Sequence, residues 1–308
     1  MLEILLKTLP FFAILGLGFA AARMQFFGEQ ATAHLTKFVF YFALSAMIFR
    51  FTATLPLSEV FQPRSVFAYL AGTLFVYTLV TVVALLRGIG IEEAAIEAQS
   101  AAIGNVGFLG IPMLVMLLGP SAIGPVMIVL VVDLVVFGSL LVVIVSAMRD
   151  GRMSLAVIGS IVLGLIKNPM IMAILLGLLW AAFSVPIPDP VNEFLTLLGA
   201  AATPGALFAI GASLATKSTE RIGVALWLSS AKLALHPLAV AVACFTLFDV
   251  SPFTAAVMIS AAAMPTAGNV FILAQHYGIA PVRVSSTILV STVVSILTLT
   301  LIIAAVSG

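Results

Sequence analysis

Charge is what this sequence has least of. Only 8% of its 308 residues are Asp, Glu, Lys or Arg, while 63% are hydrophobic. A soluble domain carries about 25% charged residues. So few charges could not wet the surface of a water-soluble globule, and the natural solvent is lipid. Cysteine is almost missing. Cys244 stands alone in an apolar run, which excludes a disulfide within the chain and a cysteine-based metal site. The three histidines, His34, His236 and His276, are far apart, and there is neither a H-E-x-x-H pair nor a Walker A loop. A net charge of +1 makes no electrostatic case for nucleic acid. Gly16-x-Gly18 lies in an apolar run and reads as packing, not as a nucleotide loop.

What the sequence does have is apolar runs, bounded by charges, Pro and Gly. A membrane span needs about 20 apolar residues. On that measure the runs predict about ten spans, near 4–22, 34–54, 66–86, 94–118, 123–148, 169–185, 192–216, 222–248, 253–275 and 283–306. The first run is long and has Glu3 ahead of Lys7, so it reads as a retained span and not as a secretory signal. The short apolar stretch Ser154–Ile166 ends at Asn168-Pro169, and Pro favours the first turn of a helix. It reads either as an interfacial helix or as an extension of the sixth span. Alternating the loops puts Arg23, Lys37, Arg87, Arg149, Arg152, Lys167, Lys217, Arg221 and Arg283 on one side, and Lys7, Arg50 and Arg64 on the other. The positive-inside rule makes the first side cytoplasmic. The expectation is a multi-pass protein of the inner (plasma) membrane with both termini on the non-cytoplasmic side.

The halves resemble each other. Ala43-Leu-Ser-Ala-Met-Ile-Phe49 lines up with Ala202-Thr-Pro-Gly-Ala-Leu-Phe208, and Gly104-Asn105-Val106 with Gly268-Asn269-Val270. The offsets are similar, so residues 1–153 and 154–308 read as two five-helix repeats. Five is odd, so the second copy is inverted, as in many secondary transporters. The fold class expected is an all-α membrane protein with broken, crossing helices at spans four and nine.

Both of those spans carry Gly, Asn and Pro mid-run: Gly104, Asn105, Gly107, Gly110 and Pro112 in one, Pro265, Thr266, Gly268 and Asn269 in the other. Pro removes a backbone donor, and Gly lowers helix propensity by about 1 kcal/mol relative to Ala. In lipid such breaks persist only inside the protein or beside a water-filled cavity. Pro112 and Pro265 are the expected helix-breaking residues. Each break leaves a second half-helix whose first N–H groups have no partner and carry positive partial charge. Two such ends meeting at mid-membrane suit a carboxylate. Gly104, Asn105, Val106, Thr266, Gly268, Asn269 and Val270 are therefore the candidate substrate-binding residues. A helix cap is the competing role for each Asn, and a back-bonded hydroxyl is the competing role for Thr266.

Buried charge is the third signal. Asp133 sits mid-span, where a charge costs about 2.5–3.5 kcal/mol on insertion scales. Lys232 and His236 are four residues apart and share a helix face. Coupling to a proton or sodium is one reading of Asp133, Lys232 and His236, and charge balance through a structural ion pair is the other. No metal site is assigned, although a sodium ion near Asn105 and Asn269 would fit the coupling reading. Arg50 reads as snorkelling near a span end. Glu92, Glu93 and Glu97 read as a solvated acidic turn.

Asn105-x-x-x-x-Gly110-Ile-Pro112, followed by Met264-Pro265-Thr266-Ala267-x-Asn269, with Lys232-Leu-x-x-x-Pro237 and Lys167-Asn-Pro169, resembles the auxin efflux carrier family in its short bacterial form. The resemblance runs over nearly the whole chain. It implies a fold related to bile acid–sodium symporters, with a scaffold of spans one, two, six and seven, often as a homodimer. It implies that spans three to five and eight to ten move as an elevator carrying a small organic anion, auxin-like or malonate-like. Gly104 stands where plant carriers have Pro, Ser45 stands where the family often has Pro, and the long cytoplasmic loop of plant members is missing. A receptor that binds the same anion without moving it is the alternative from another class. An intramembrane enzyme would need a nucleophile–base pair or metal ligands, which Asp133 and His236 alone do not supply. The reading is therefore a transporter and not an enzyme, without a cofactor beyond a coupling ion, embedded in a bilayer and with no nucleic-acid partner.

Overall fold

The computed structural model describes residues 2–54, 62–150, 155–215 and 222–307. The repeat boundary placed between 153 and 154 lies outside them, as do Arg152, Lys217 and Arg221. The described residues form helices, with one isolated β-bridge. An apolar backbone in lipid has to satisfy its own N–H and C=O groups, and a helix does so within one segment. In chain order the segments are α1 (Leu2–Arg23), α2 (Glu29–Ala53), α3 (Pro63–Leu86), α4 (Ile91–Ala102), α5 (Val106–Leu118), α6 (Pro120–Met148), α7 (Leu155–Lys167), α8 (Pro169–Ala182), α9 (Asp189–Ala215), α10 (Ile222–Leu247), α11 (Pro252–Ala262), α12 (Gly268–Tyr277) and α13 (Pro281–Ser307). Proline opens several of them, Pro63, Pro169, Pro252 and Pro281 among others. There its fixed φ helps and its missing N–H costs nothing.

Among the described residues, six helices are long and apolar enough to cross a membrane on their own: α2, α3, α6, α9, α10 and α13. The pair α7–α8 bends by 74° at Asn168. The bend rules out a straight extension of the sixth span. Asn168 caps α8, its side-chain oxygen accepting from the Met170 amide at 3.0 Å and the Ile171 amide at 3.4 Å. The predicted fourth and ninth spans are each split, α4 from α5 and α11 from α12.

The helices pack in two sets. One joins α1 to α9 and α2 to α8 and α9; the other joins α3 to α4 and α10, and α11 and α13 to α10. Glycine sets the closest approaches in the first set. A Cβ on Gly18 would collide with the Phe208 carbonyl of α9, and one on Gly211 would collide with the Leu15 carbonyl of α1. Small residues of this kind let membrane helices approach to backbone contact. Gly18 thus has the packing role read from Gly16-x-Gly18, whereas Gly16 meets nothing. A Cβ on Gly177 of α8 would meet Thr52 and come within 3.0 Å of the Phe49 carbonyl of α2. Gly177 follows Gly18 by 159 positions, and Phe208 follows Phe49 by the same 159. Large apolar side chains such as Phe26, Leu86 and Leu197 line the outside.

One charge assignment is corrected by the fold. Glu97 is not in a solvated turn. It is buried in α4 and takes Arg87 on both oxygens, at 2.9 and 3.0 Å, and Arg283 of α13 at 2.7 Å. Arg283 also reaches Glu93 at 3.1 Å. Two guanidiniums replace the hydration that burial removes, so the carboxylate stays inside. Arg50, near the end of α2, donates through its Nε to Asn192 Oδ1 in the first turn of α9 at 2.8 Å.

Candidate functional site

The two breaks touch each other. Between α4 and α5 the chain is non-helical over residues 103–105, and between α11 and α12 it runs irregularly over 263–267. These segments pair antiparallel, Gly104 opposite Thr266. The Asn105 amide donates to the Pro265 carbonyl at 2.8 Å, and the Ala267 amide donates to the Ile103 carbonyl at 3.1 Å. The two hydrogen bonds are images of each other: each joins the last residue of one break to a residue two before it in the other. Backbone groups that a broken helix would orphan in lipid are satisfied by the partner break. The pairing relates Gly104 to Thr266, an offset of 162, not the 164 read from the Gly-Asn-Val match. Asn105 therefore stands just before α5, while Asn269 is the second residue of α12.

Neither asparagine side chain caps a helix, although Asn105 holds the N-cap position of α5. Neither α5 nor α12 has a side-chain cap hydrogen bond at its start. Asn105 is 7% exposed. Asn269 is half-buried, and its Oδ1 is buried without a hydrogen-bond partner. The amides of Gly107 and Phe108 in α5, and of Gly268 and Asn269 in α12, have no backbone acceptor, as expected for first-turn donors. The two ends differ in cover. Gly268 is exposed and a Cβ there would meet nothing. Gly107 is roofed by Met170 of α8, and Phe108 stacks on Phe40 of α2 with centroids 6.0 Å apart and planes 7° from parallel. Val106 and Val270 are buried behind these ends.

The prolines play unequal parts. Pro265 lies in the second break and its carbonyl takes the Asn105 amide. Pro112 breaks nothing: it is the second residue of Ile111–Leu118, a helical stretch that follows the π-helical turn Val106–Gly110. The helix runs on through Pro112 because the wider π-helical turn before it absorbs the missing N–H. The first break falls instead at Ile103–Asn105, which contains no proline. Thr266 is 1% exposed and its hydroxyl donates to the Ser100 carbonyl of α4 at 2.7 Å. It caps the end of the opposite half-helix. Its amide donates to Ser291 Oγ of α13 at 3.1 Å.

Behind the crossing lies a buried polar chain. Asp133 and Lys232 each occupy the second position of a π-helical turn, Val132–Phe137 and Ala231–Leu235. Such turns widen the helix and are common at functional positions. No ion pair joins the two side chains among the described residues. Asp133 Oδ1 accepts from the Tyr69 hydroxyl at 2.9 Å, Oδ2 has no hydrogen-bond partner, and the Gly104 backbone faces the carboxylate. Lys232 is fully buried; its Nζ donates to the Ala262 carbonyl and lies 3.0 Å from His236 Nδ1. An ammonium can only donate, so Nδ1 accepts. The other nitrogen, Nε2, then carries the hydrogen and donates to Thr73 Oγ1 at 3.0 Å. Tyr69 and Thr73 were not picked out from the sequence. Their spacing of four on an apolar helix was the available signal, since it places two polar groups on one buried face.

Among the described residues no group of three or more His, Cys, Asp or Glu could hold a metal ion. A family model described as "Membrane transport protein" matches residues 3–303. A protein of Rhizobium meliloti (strain 1021) named "Putative malonate transporter" is 30% identical over 303 residues, covering 97% of this chain and 95% of that relative.

Proposed function

From the premise that the chain belongs to the membrane transport protein family, a family of transporters and not of enzymes, we propose that it is a secondary carrier of a small dicarboxylate of the malonate class. The anion sits at the crossing of the two breaks. The observation that carries this is the meeting of two half-helix N-termini, each with unpaired amides, beside two asparagines whose side chains cap neither helix. A carboxylate there accepts from the open amides of Gly268 and Asn269 and from an asparagine Nδ2, and the helix dipoles favour its charge. A second carboxylate finds the α5 end once Met170 and Phe108 withdraw. The name of the Rhizobium relative supports a dicarboxylate of this size.

The same reading covers movement. The chain comprises ten membrane crossings in two inverted five-helix repeats. This is supported by the shared 159-residue offset of the Gly18–Phe208 and Gly177–Phe49 approaches and by the mirrored hydrogen bonds at the crossing. The set α1, α2, α8 and α9 is the scaffold, with a homodimer forming through it. The remainder carries the site past it as an elevator. The contacts Phe40–Phe108 and Met170–Gly107 lie on that sliding boundary. Asp133, Lys232 and His236 balance or couple charge. The basic loops keep their side in the cytoplasm of a cell with the protein in its inner membrane, and both termini lie outside.

Counterflow tests the function. Proteoliposomes preloaded with unlabelled malonate should accumulate labelled malonate, and Asn105→Ala should lose at least about tenfold of that rate. Equal rates in loaded vesicles with and without the protein would reject the carrier, and equal rates in the variant would reject the site.

A further inference from the structure

The two half-helices that enter the crossing, α4 and α11, end in mid-protein with carbonyls unpaired and the negative end of the dipole buried. The ends are neutralised differently. At α4 the Thr266 hydroxyl takes the Ser100 carbonyl. At α11 the Lys232 ammonium takes the Ala262 carbonyl. The same nitrogen lies against the first break: a Cβ on Gly104 would be 3.2 Å from Lys232 Nζ and 3.3 Å from the Ala261 carbonyl oxygen. Asp133 faces Gly104 from α6. Around Nζ stand the C-terminal carbonyl of α11 and an imidazole nitrogen, with a carboxylate across Gly104. Hard cations are held by oxygen ligands of this kind, and here an amine on a tether is among them.

We infer that Lys232 is a resident cation: its ammonium fills the place behind the crossing that a coupling sodium ion would need, so the protein binds and moves its anion without sodium. The inference rests on reading the crossing as the anion site. It narrows the coupling alternatives by removing one. A second cation beside a buried ammonium would be repelled in a medium that screens poorly. Gly104 has no side chain because one would press on this nitrogen.

The test uses the full chain in lipid nanodiscs and in proteoliposomes. Its melting temperature is followed while sodium chloride replaces choline chloride at constant ionic strength, and malonate uptake is measured in the same two salts. The expected result is no saturable sodium-specific shift and uptake rates equal within about twofold. Lys232→Ala, which empties the place, should be stabilised saturably by methylammonium chloride, and the unaltered protein should not. A saturable sodium-specific stabilisation of the unaltered protein, or uptake that falls about tenfold in choline, overturns the inference. If malonate is not transported at all, the substrate reading has failed, and the sodium titration of stability still decides this one. If Lys232→Ala does not fold, the titration of the unaltered protein decides alone.

Discussion

Asn269→Ala separates a ligand-binding residue from a structural one, because the two roles move stability and affinity in opposite ways. The Asn269 Oδ1 is buried with no partner, and no side chain caps α12. A buried acceptor without a partner costs about 1–3 kcal/mol. Removing the amide should therefore leave the melting temperature unchanged or raise it. An asparagine Nδ2 donating to a carboxylate is a charge-assisted hydrogen bond, and these contribute about 1.5–3 kcal/mol. At 1.4 kcal/mol per decade that is a loss of affinity of roughly 10- to 150-fold. The assay pairs a melting curve in lipid nanodiscs with the half-saturation concentration for malonate uptake. The expected outcome is a half-saturation concentration raised at least about tenfold, with no loss of stability. A melting temperature that falls while half-saturation stays put would refute the reasoning and return Asn269 to the role of a helix-start residue.

Other substitutions probe the frame. Glu97→Gln takes from the buried Arg283 the nearer of its two carboxylates, leaving Glu93, and takes from Arg87 the carboxylate it holds on both oxygens. Breaking a buried pair costs about 3–5 kcal/mol, so a clear fall in melting temperature is expected; a shift of under a degree would show that Glu97 is hydrated after all. Gly18→Leu drives a side chain into the Phe208 backbone and should cost about 1–3 kcal/mol or more, whereas Gly16→Leu should leave the melting temperature unchanged. Tyr69→Phe removes the donor to Asp133 and leaves neither carboxylate oxygen with a side-chain partner, at a cost of about 1.5–3 kcal/mol. Equal stability of this variant would show that water or another group serves Asp133. Met170→Ala should expose the α5 end and raise the uptake rate for dicarboxylates bulkier than malonate relative to malonate, and an unchanged ratio would remove Met170 from the boundary of the site.

The breaks were legible because Gly, Asn and Pro in an apolar run contradict the helix that lipid demands. Where each break falls was not. Pro112 looks like a breaker, yet the helix passes from a π-helical turn straight through it, and the chain opens at Ile103–Asn105 instead. The match between spans two and seven has a packing counterpart: the Gly18–Phe208 and Gly177–Phe49 approaches share one 159-residue offset. At the crossing the recurring Gly-Asn-Val misled by two residues, since hydrogen-bond register there is a property of backbone and not of side-chain identity. Glu97 looked solvated because its second arginine is 186 positions away. The Tyr69–Asp133 and Thr73–His236 contacts were hidden for the same reason, being tertiary pairs between helices that each read as plain apolar spans.

The central claim is that the crossing binds the anion of a transporter, and currents on a solid-supported membrane test it most directly. Proteoliposomes carrying the protein are exposed to concentration jumps of malonate and of related mono- and dicarboxylates, beside vesicles carrying Asn105→Ala. The expected result is a saturable malonate-evoked current, the same in sodium and in choline, that Asn105→Ala abolishes. A malonate current that survives unchanged in Asn105→Ala, with the same half-saturation, would contradict it.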